Sequence, residues 1–191
     1  MFSLMSSGRI EVITGAMFSG KTRELISRAE RAEIAGNSIK AFKPSIDDRY
    51  EEEKISSHVG RSLEAEVLEP EEDLAENFED LKEDVVIIDE ANFFPDELVE
   101  VCQNLAEGGK RVIVAGTDQT FRGEPFPPLP KLCAIAEEVE KLNAVCVKCG
   151  GVATRNQRLV DGEPAEKDSP TILVGAEESY EARCRHCHEL R

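Results

Sequence analysis

The chain has 191 residues, 40% of them hydrophobic, and its 39 acidic against 23 basic side chains leave a net charge of −16. That length suffices for one sizeable domain, or one domain with a small satellite, and no run of about 18 apolar residues is present to span a membrane. The negative field repels phosphate backbones and the first nine residues lack an apolar secretion signal, so the expectation is a cytoplasmic protein with neither nucleic-acid nor membrane partners.

Residues 10–14 read as a strand, and the chain then runs Gly15, Ala16, Met17, Phe18, Ser19, Gly20, Lys21, Thr22. This fits G-x-x-x-x-G-K-[ST]. A helix is predicted over 21–35, with Leu25, Ile26, Ala29 and Ala32 along one side and Gly36-Asn37 as its stop. A strand, a glycine-bracketed turn and a helix start aim backbone N–H groups and a helix dipole at one point, which suits a polyphosphate. Lys21 would reach the β- and γ-phosphates, and the Thr22 hydroxyl would ligate Mg²⁺. The spacing predicts a nucleoside triphosphate as ligand.

Further strands are predicted over 38–42, 63–68, 85–89 and 112–116, and further helices over 71–78, 95–106 and 131–142. Residues 44–54, with Asp47, Asp48 and Arg49, read as a loop over the nucleotide edge or as a solvated linker. The runs 85–88 and 112–115 are continuously apolar, as parallel strands covered on both faces require. Alternating strands and helices around the phosphate loop predict an α/β fold with a mostly parallel sheet, of the P-loop NTPase (RecA-like) class. Composition shifts toward cysteine and glycine near Asn143, which divides the chain into a nucleotide-binding domain, 1–142, and a small C-terminal domain, 143–191.

The strand 85–89 ends in Asp89 and Glu90. In a phosphate-loop protein an acid at that position holds Mg²⁺, the role expected of Asp89. Glu90, directed elsewhere by strand alternation, is the candidate base for the attacking oxygen. These motifs leave open whether that oxygen belongs to water, as in an ATPase, or to a substrate hydroxyl, as in a kinase.

Near the end lie two C-x-x-C pairs, Cys146 with Cys149 and Cys184 with Cys187. Four thiolates at this spacing suit a closed, tetrahedral, structural Zn²⁺ site. His186 and His188 are second-choice ligands. Cys102 and Cys133 fall on helical stripes and read as small buried hydrophobes.

Together, GAMFSGKT at 15–22, IDEANFF at 88–94, DQTF at 118–121 with Pro125-Phe126, the two cysteine pairs, and the segment 172–176 followed by Tyr180 resemble the thymidine kinase family of the small cellular and bacterial type. The resemblance spans nearly the whole chain. It implies a P-loop domain followed by a zinc-bearing lasso domain, and transfer of the ATP γ-phosphoryl to the 5′-hydroxyl of thymidine or deoxyuridine. It implies Glu90 as base, Asp89 on Mg²⁺, Asn92 near the nucleotide and Arg49 near the phosphates. Phe121 would stack on the pyrimidine, enclosed by Met17 and Phe126. Thr171, Ile172, Leu173, Val174 and Gly175 would bind the base chiefly through backbone groups, with Tyr180 nearby. A homotetramer and feedback inhibition by thymidine triphosphate (dTTP) are implied in the same way. Asn92 stands where the family usually has glutamine, and Asn156 where threonine is common.

Overall fold

The structure, a computed structural model, describes residues 8–45, 54–56, 62–70, 74–172 and 178–191. The first strand, β1 (Arg9–Gly15), leads through the glycine-bracketed turn into α1 (Lys21–Ile34) and then β2 (Ile39–Pro44). A small antiparallel pair follows, β3 (Lys54–Ser56) with β4 (Ser62–Glu64), and then β5 (Glu66–Leu68), α2 (Leu74–Phe78) and β6 (Val85–Ile88). Next come α3 (Leu98–Glu107), β7 (Arg111–Gly116), α4 (Leu129–Ile135) and β8 (Glu138–Leu142). The main sheet has the order β5-β2-β6-β7-β1-β8 and every pairing in it is parallel.

Strand alternation explains why the sheet is buried on both faces. Val12, Phe42, Val86, Ile88, Val112 and Val114 face one core, shared with α2, α3 and α4. Ile13, Ala41, Val85, Ile87, Ile113 and Ala115 face the other, under Leu25, Ile26, Ala29 and Ala32 of α1. Cys102 and Cys133 belong to the first core as small apolar groups, and burial pushes the Cys102 thiol up to about 12.

Two expectations are corrected. The stretch 63–68 is two strands rather than one, with β4 on β3 and β5 on β2. The helix expected over 131–142 stops at Ile135, and the rest becomes β8, paired with β1. Ala136 turns extended, the Glu137 N–H donates to the Ile10 carbonyl at 3.0 Å, and the Ile10 N–H donates to Glu137 Oε2 at 2.6 Å. A free sheet edge outcompetes a helical stripe whose polar interleaving fits either period.

The charged network under β1 holds this edge strand. Glu11 is 1% exposed and accepts both arms of Arg111 at 2.7 and 2.9 Å, Arg28 at 2.8 Å and Arg9 at 2.7 Å. Arg28 also reaches Glu138 at 3.1 Å and Glu140 at 2.5 Å on β8. Burial alone would raise the Glu11 carboxyl, but hydrogen bonds from Arg111, Arg9 and Arg28 more than offset it and hold it at about 2, below its ordinary 4.5. A depressed folded-state value means the stabilisation is complete above pH 4.5 and fades as pH falls toward 2. It amounts to ~3 kcal/mol. Urea unfolding of Glu11→Gln should therefore show a large stability deficit at pH 7 that narrows through pH 4 and below. A deficit independent of pH would show that Glu11 does not titrate in this way.

The C-terminal part consists of β9 (Ala144–Val145), β10 (Val152–Ala153), β11 (Arg155–Val160), β12 (Glu163–Pro164) and β13 (Glu178–Arg183). Strand β11 lies between β12 and β13, and β9 pairs with β10. Ala144, Cys146, Ala153 and Ala182 form a separate small core, with Cys184 and Cys187 against it.

Candidate active site

Ligand sites of open parallel sheets lie at the carboxyl ends of the strands, where the 15–22 loop, Asp89 and Glu90 are found. At the end of β1, Gly15 turns with φ 145°, and a Cβ on it would lie 2.2 Å from the Leu142 carbonyl oxygen, so only glycine lets the loop leave the sheet. Gly20, at φ 92°, caps α1 without a side-chain hydrogen bond, which leaves the positive end of the helix dipole toward the loop. Lys21 is 8% exposed, and its Nζ donates to the Gly15 and Ala16 carbonyls at 3.2 and 3.1 Å. Its ammonium therefore lies under the loop. Ser19 Oγ is buried with no hydrogen-bond partner among the described residues, an orphan that an oxyanion satisfies. Thr22 is half-buried in the first helical turn, and Phe18 is exposed with a left-handed backbone. These features fit a triphosphate.

Strand β7 lies between β1 and β6, so Asp89 and Glu90 stand two strand spacings, about 10 Å, from the loop along the same sheet edge. The Asp89 N–H donates to the Phe42 carbonyl at 3.0 Å, extending the ladder by one bond, and the side chain is 5% exposed. Asp89 Oδ1 accepts the Glu90 N–H at 2.9 Å. The two carboxylates diverge for a reason other than strand alternation: Glu90 is left-handed (φ 47°, ψ 42°) and starts a short 3₁₀ turn, Ala91–Phe93. A non-glycine residue in that region is strained, and such strain concentrates at functional sites. Thr22 and Asp89 carry side-chain oxygens of the hard kind that suits Mg²⁺. Asn92 is buried and its Oδ1 accepts the Thr117 N–H at 2.8 Å, which ties the turn to the end of β7.

On the other side, the segment after β7 is stitched to the C-terminal strands. Asn156 Oδ1 accepts the Met17 N–H at 2.7 Å, and its Nδ2 donates to the Gln119 carbonyl at 2.8 Å. Arg155 donates to Gln119 Oε1 and to the Gly123 carbonyl. His188, a second-choice metal ligand from sequence, has Nε2 2.7 Å from the Phe121 carbonyl oxygen. The Phe121 ring is 3% exposed, with the Arg122 guanidinium 4.4 Å and that of Arg158 5.1 Å from its centroid. Phe126 meets Phe93 edge-on at 6.4 Å. Tyr180 pairs in register with Arg158. Thr171 Oγ1 accepts from Arg122 at 2.8 Å, and Ile172 is exposed. Asp47, Asp48, Arg49, Leu173, Val174 and Gly175 lie outside the described residues.

Sequence reasoning missed Arg122, Arg155, Arg158 and the cross-links of Asn156. The available signal was a basic cluster, Arg155 to Arg158, in a strongly acidic chain. Both of those arginines are buried.

The four predicted cysteines do converge. Their sulfurs lie within 4.8 Å of one another, and Cys149 and Cys184 Sγ are 3.7 Å apart. A tetrahedron with Zn–S bonds of about 2.3 Å has edges of about 3.8 Å. All four are free thiols rather than disulfides. Backbone N–H groups, that of Cys184 foremost, pull the Cys146 thiol down to about 6, while the neighbouring sulfurs push Cys187 up to about 12, the spread expected of acidic groups crowded together. The donor set fits zinc.

A family model described as thymidine kinase matches residues 8–188. A thymidine kinase of Halobacterium salinarum is 59% identical over 193 aligned residues, covering 100% of this chain and 99% of its own. One of Haloquadratum walsbyi is 53% identical over 223, with the same coverages. A solved large terminase of a thermophilic bacteriophage aligns with 73% of this chain and 42% of its own at 10% identity and a TM-score of 0.45.

Proposed function

The chain belongs to the thymidine kinase family, and on that premise we propose that it moves the γ-phosphoryl of ATP to the 5′-hydroxyl of thymidine, and of deoxyuridine, with Glu90 as the base. Family membership makes it a phosphotransferase that uses ATP. The observation that carries the assignment of roles is the meeting, at one sheet edge, of the 15–22 loop and the Asp89–Glu90 turn.

Within this reading, Gly15 to Thr22 hold the triphosphate, with the N-terminus of α1 and Lys21 opposing its charge. Thr22 and Asp89 would hold Mg²⁺, which would supply neutralisation of charge on the β- and γ-phosphate oxygens. Glu90 accepts the proton of the 5′-hydroxyl as that oxygen attacks phosphorus and the bond to the β-phosphate breaks. Phe121 forms the floor of the acceptor pocket, with Met17, Phe126 and Tyr180 around it. The carbonyl and N–H groups of residues 171–175 read the base edge. Asn92 is assigned to the nucleotide side, where its Oδ1 also holds the end of β7 through the Thr117 N–H. Asp47, Asp48 and Arg49 are assigned to the phosphate side on family likeness alone.

The separate small core beyond β8 supports a boundary at 142/143. A cytoplasmic location, a homotetramer and inhibition by dTTP belong to the same proposal. ATP consumption by the purified chain with Mg²⁺, measured across a panel of nucleosides, tests it. Turnover should stay low until thymidine or deoxyuridine is added. Equal turnover without any nucleoside would make the chain an ATPase and remove Glu90 from its assigned role.

Zinc is expected at one ion per chain on Cys146, Cys149, Cys184 and Cys187. The region has too little core of its own to fold without it. Elemental analysis should find one zinc per chain, and a strong chelator should abolish the protection of β9–β13 amides from hydrogen exchange. Metal-free protein with full protection and activity would exclude a structural metal.

A further inference from the structure

The segment 167–171 approaches the Phe121 ring through one side chain above all, Arg122. Its Nε donates to the Lys167 carbonyl at 2.7 Å, one terminal nitrogen to Thr171 Oγ1 at 2.8 Å, and the other to the Ser169 carbonyl. The same guanidinium lies over the Phe121 ring, 4.4 Å from its centroid. Arg158 repeats the pattern from β11, donating to the Pro170 carbonyl at 2.6 Å while its guanidinium lies 5.1 Å from that ring. Two planar cations thus tie one aromatic ring to one strip of backbone.

We propose that Arg122 is a positioning residue for the acceptor nucleoside, fixing the Phe121 ring and residues 167–171 in register so that the base meets a preformed surface. This rests on the reading of Phe121 as the pocket floor. The chemistry favours arginine specifically: the fork reaches three acceptors at once while its flat face stays on the ring, which an ammonium cannot do. Phe121 and Arg122 belong to the segment after β7, while the acceptors of Arg122 belong to the C-terminal part, so this one side chain bridges the two parts of the chain directly.

Arg122 is only partly buried, and its acceptors belong to the exposed Lys167 and the half-buried Ser169 and Thr171, so water can replace the guanidinium and the fold should survive. Arg122→Ala is expected to raise KM for thymidine about tenfold, the scale of a lost cation–ring contact together with its hydrogen bonds. KM for ATP and kcat should stay within about twofold, because the phosphate loop is untouched. Arg122→Lys should recover little of the loss. Because the effect acts through the ring, it should shrink in a Phe121→Ala background. Thermal melting is measured beside the kinetics. A fall in melting temperature with both KM values rising together would mean a merely structural role, and full rescue by lysine would mean charge alone. An unchanged or lowered thymidine KM, or full additivity with Phe121→Ala, would also overturn the proposal. If Phe121→Ala itself leaves thymidine KM unchanged, the pocket reading fails instead, a result separable from failure at Arg122.

Discussion

Replacing Glu90 with glutamine is expected to lower kcat by roughly 10²–10⁴-fold while ATP and thymidine still bind with near-native affinity. A ribose 5′-hydroxyl is a weak nucleophile at neutral pH, and a carboxylate that takes its proton during attack lowers the barrier. Glutamine keeps the shape and reach of the side chain and removes only its basicity. The local backbone should tolerate it. The left-handed turn at Glu90 is held through its own main-chain atoms, with the Phe93 N–H donating to the Glu90 carbonyl at 3.0 Å and the Glu90 N–H donating to the Asp89 side-chain Oδ1 at 2.9 Å. Asp89, the proposed Mg²⁺ ligand, is poorly placed to substitute, because it is 5% exposed and its Oδ1 already accepts that N–H. His188 is poorly placed too, since its Nε2 is engaged with the Phe121 carbonyl oxygen at 2.7 Å. Calorimetric affinities measured beside kcat separate the outcomes. A surviving kcat means that proton transfer is unassisted, and collapsed binding means that Glu90 is a ligand rather than the base.

How much of this was legible in the sequence depended on how local each signal is. The phosphate loop, the acid pair and the cysteine pairs are short motifs whose chemistry fixes their spacing, and the structure brings the cysteines together as expected. The parallel sheet was legible because Val85-Val86-Ile87-Ile88 and Val112-Ile113-Val114-Ala115 are apolar on both faces. Strand β8 was not, because only one of its edges is paired, Glu138 and Val139 are exposed, and its polar pattern fits a helix as well. Glu11 was read only as the polar position of a strand. Its partners Arg28 and Arg111 lie 17 and 100 residues away, and only the parallel register brings them together. The links from Asn156 to Met17, 139 residues away, and from Arg122 to Thr171, 49 away, have no local signature either.

Lys21→Ala should reduce phosphoryl transfer by about 10²–10³-fold, the scale for deleting one preorganised group that meets developing charge. The lysine ammonium is shared between the Gly15 and Ala16 carbonyls, at 3.2 and 3.1 Å. Those bonds keep a buried cation solvated until β- and γ-phosphate oxygens replace them, so the charge is in place before the substrate arrives. Alanine removes the cation but leaves the loop its other supports: the Met17 N–H on Asn156, the left-handed Gly20 and the β1 register with β7 and β8. Circular dichroism should therefore be unchanged. The loss should fall on kcat as well as on ATP affinity, since negative charge on the bridging oxygen grows as the bond to the γ-phosphorus breaks. Thymidine affinity, measured separately by calorimetry, should hold, because the acceptor side touches the loop through the Met17 backbone. A kcat reduced less than tenfold in a folded variant would mean that the 15–22 loop is an ordinary glycine turn before a helix, and the phosphate site would have to be sought elsewhere along the sheet edge.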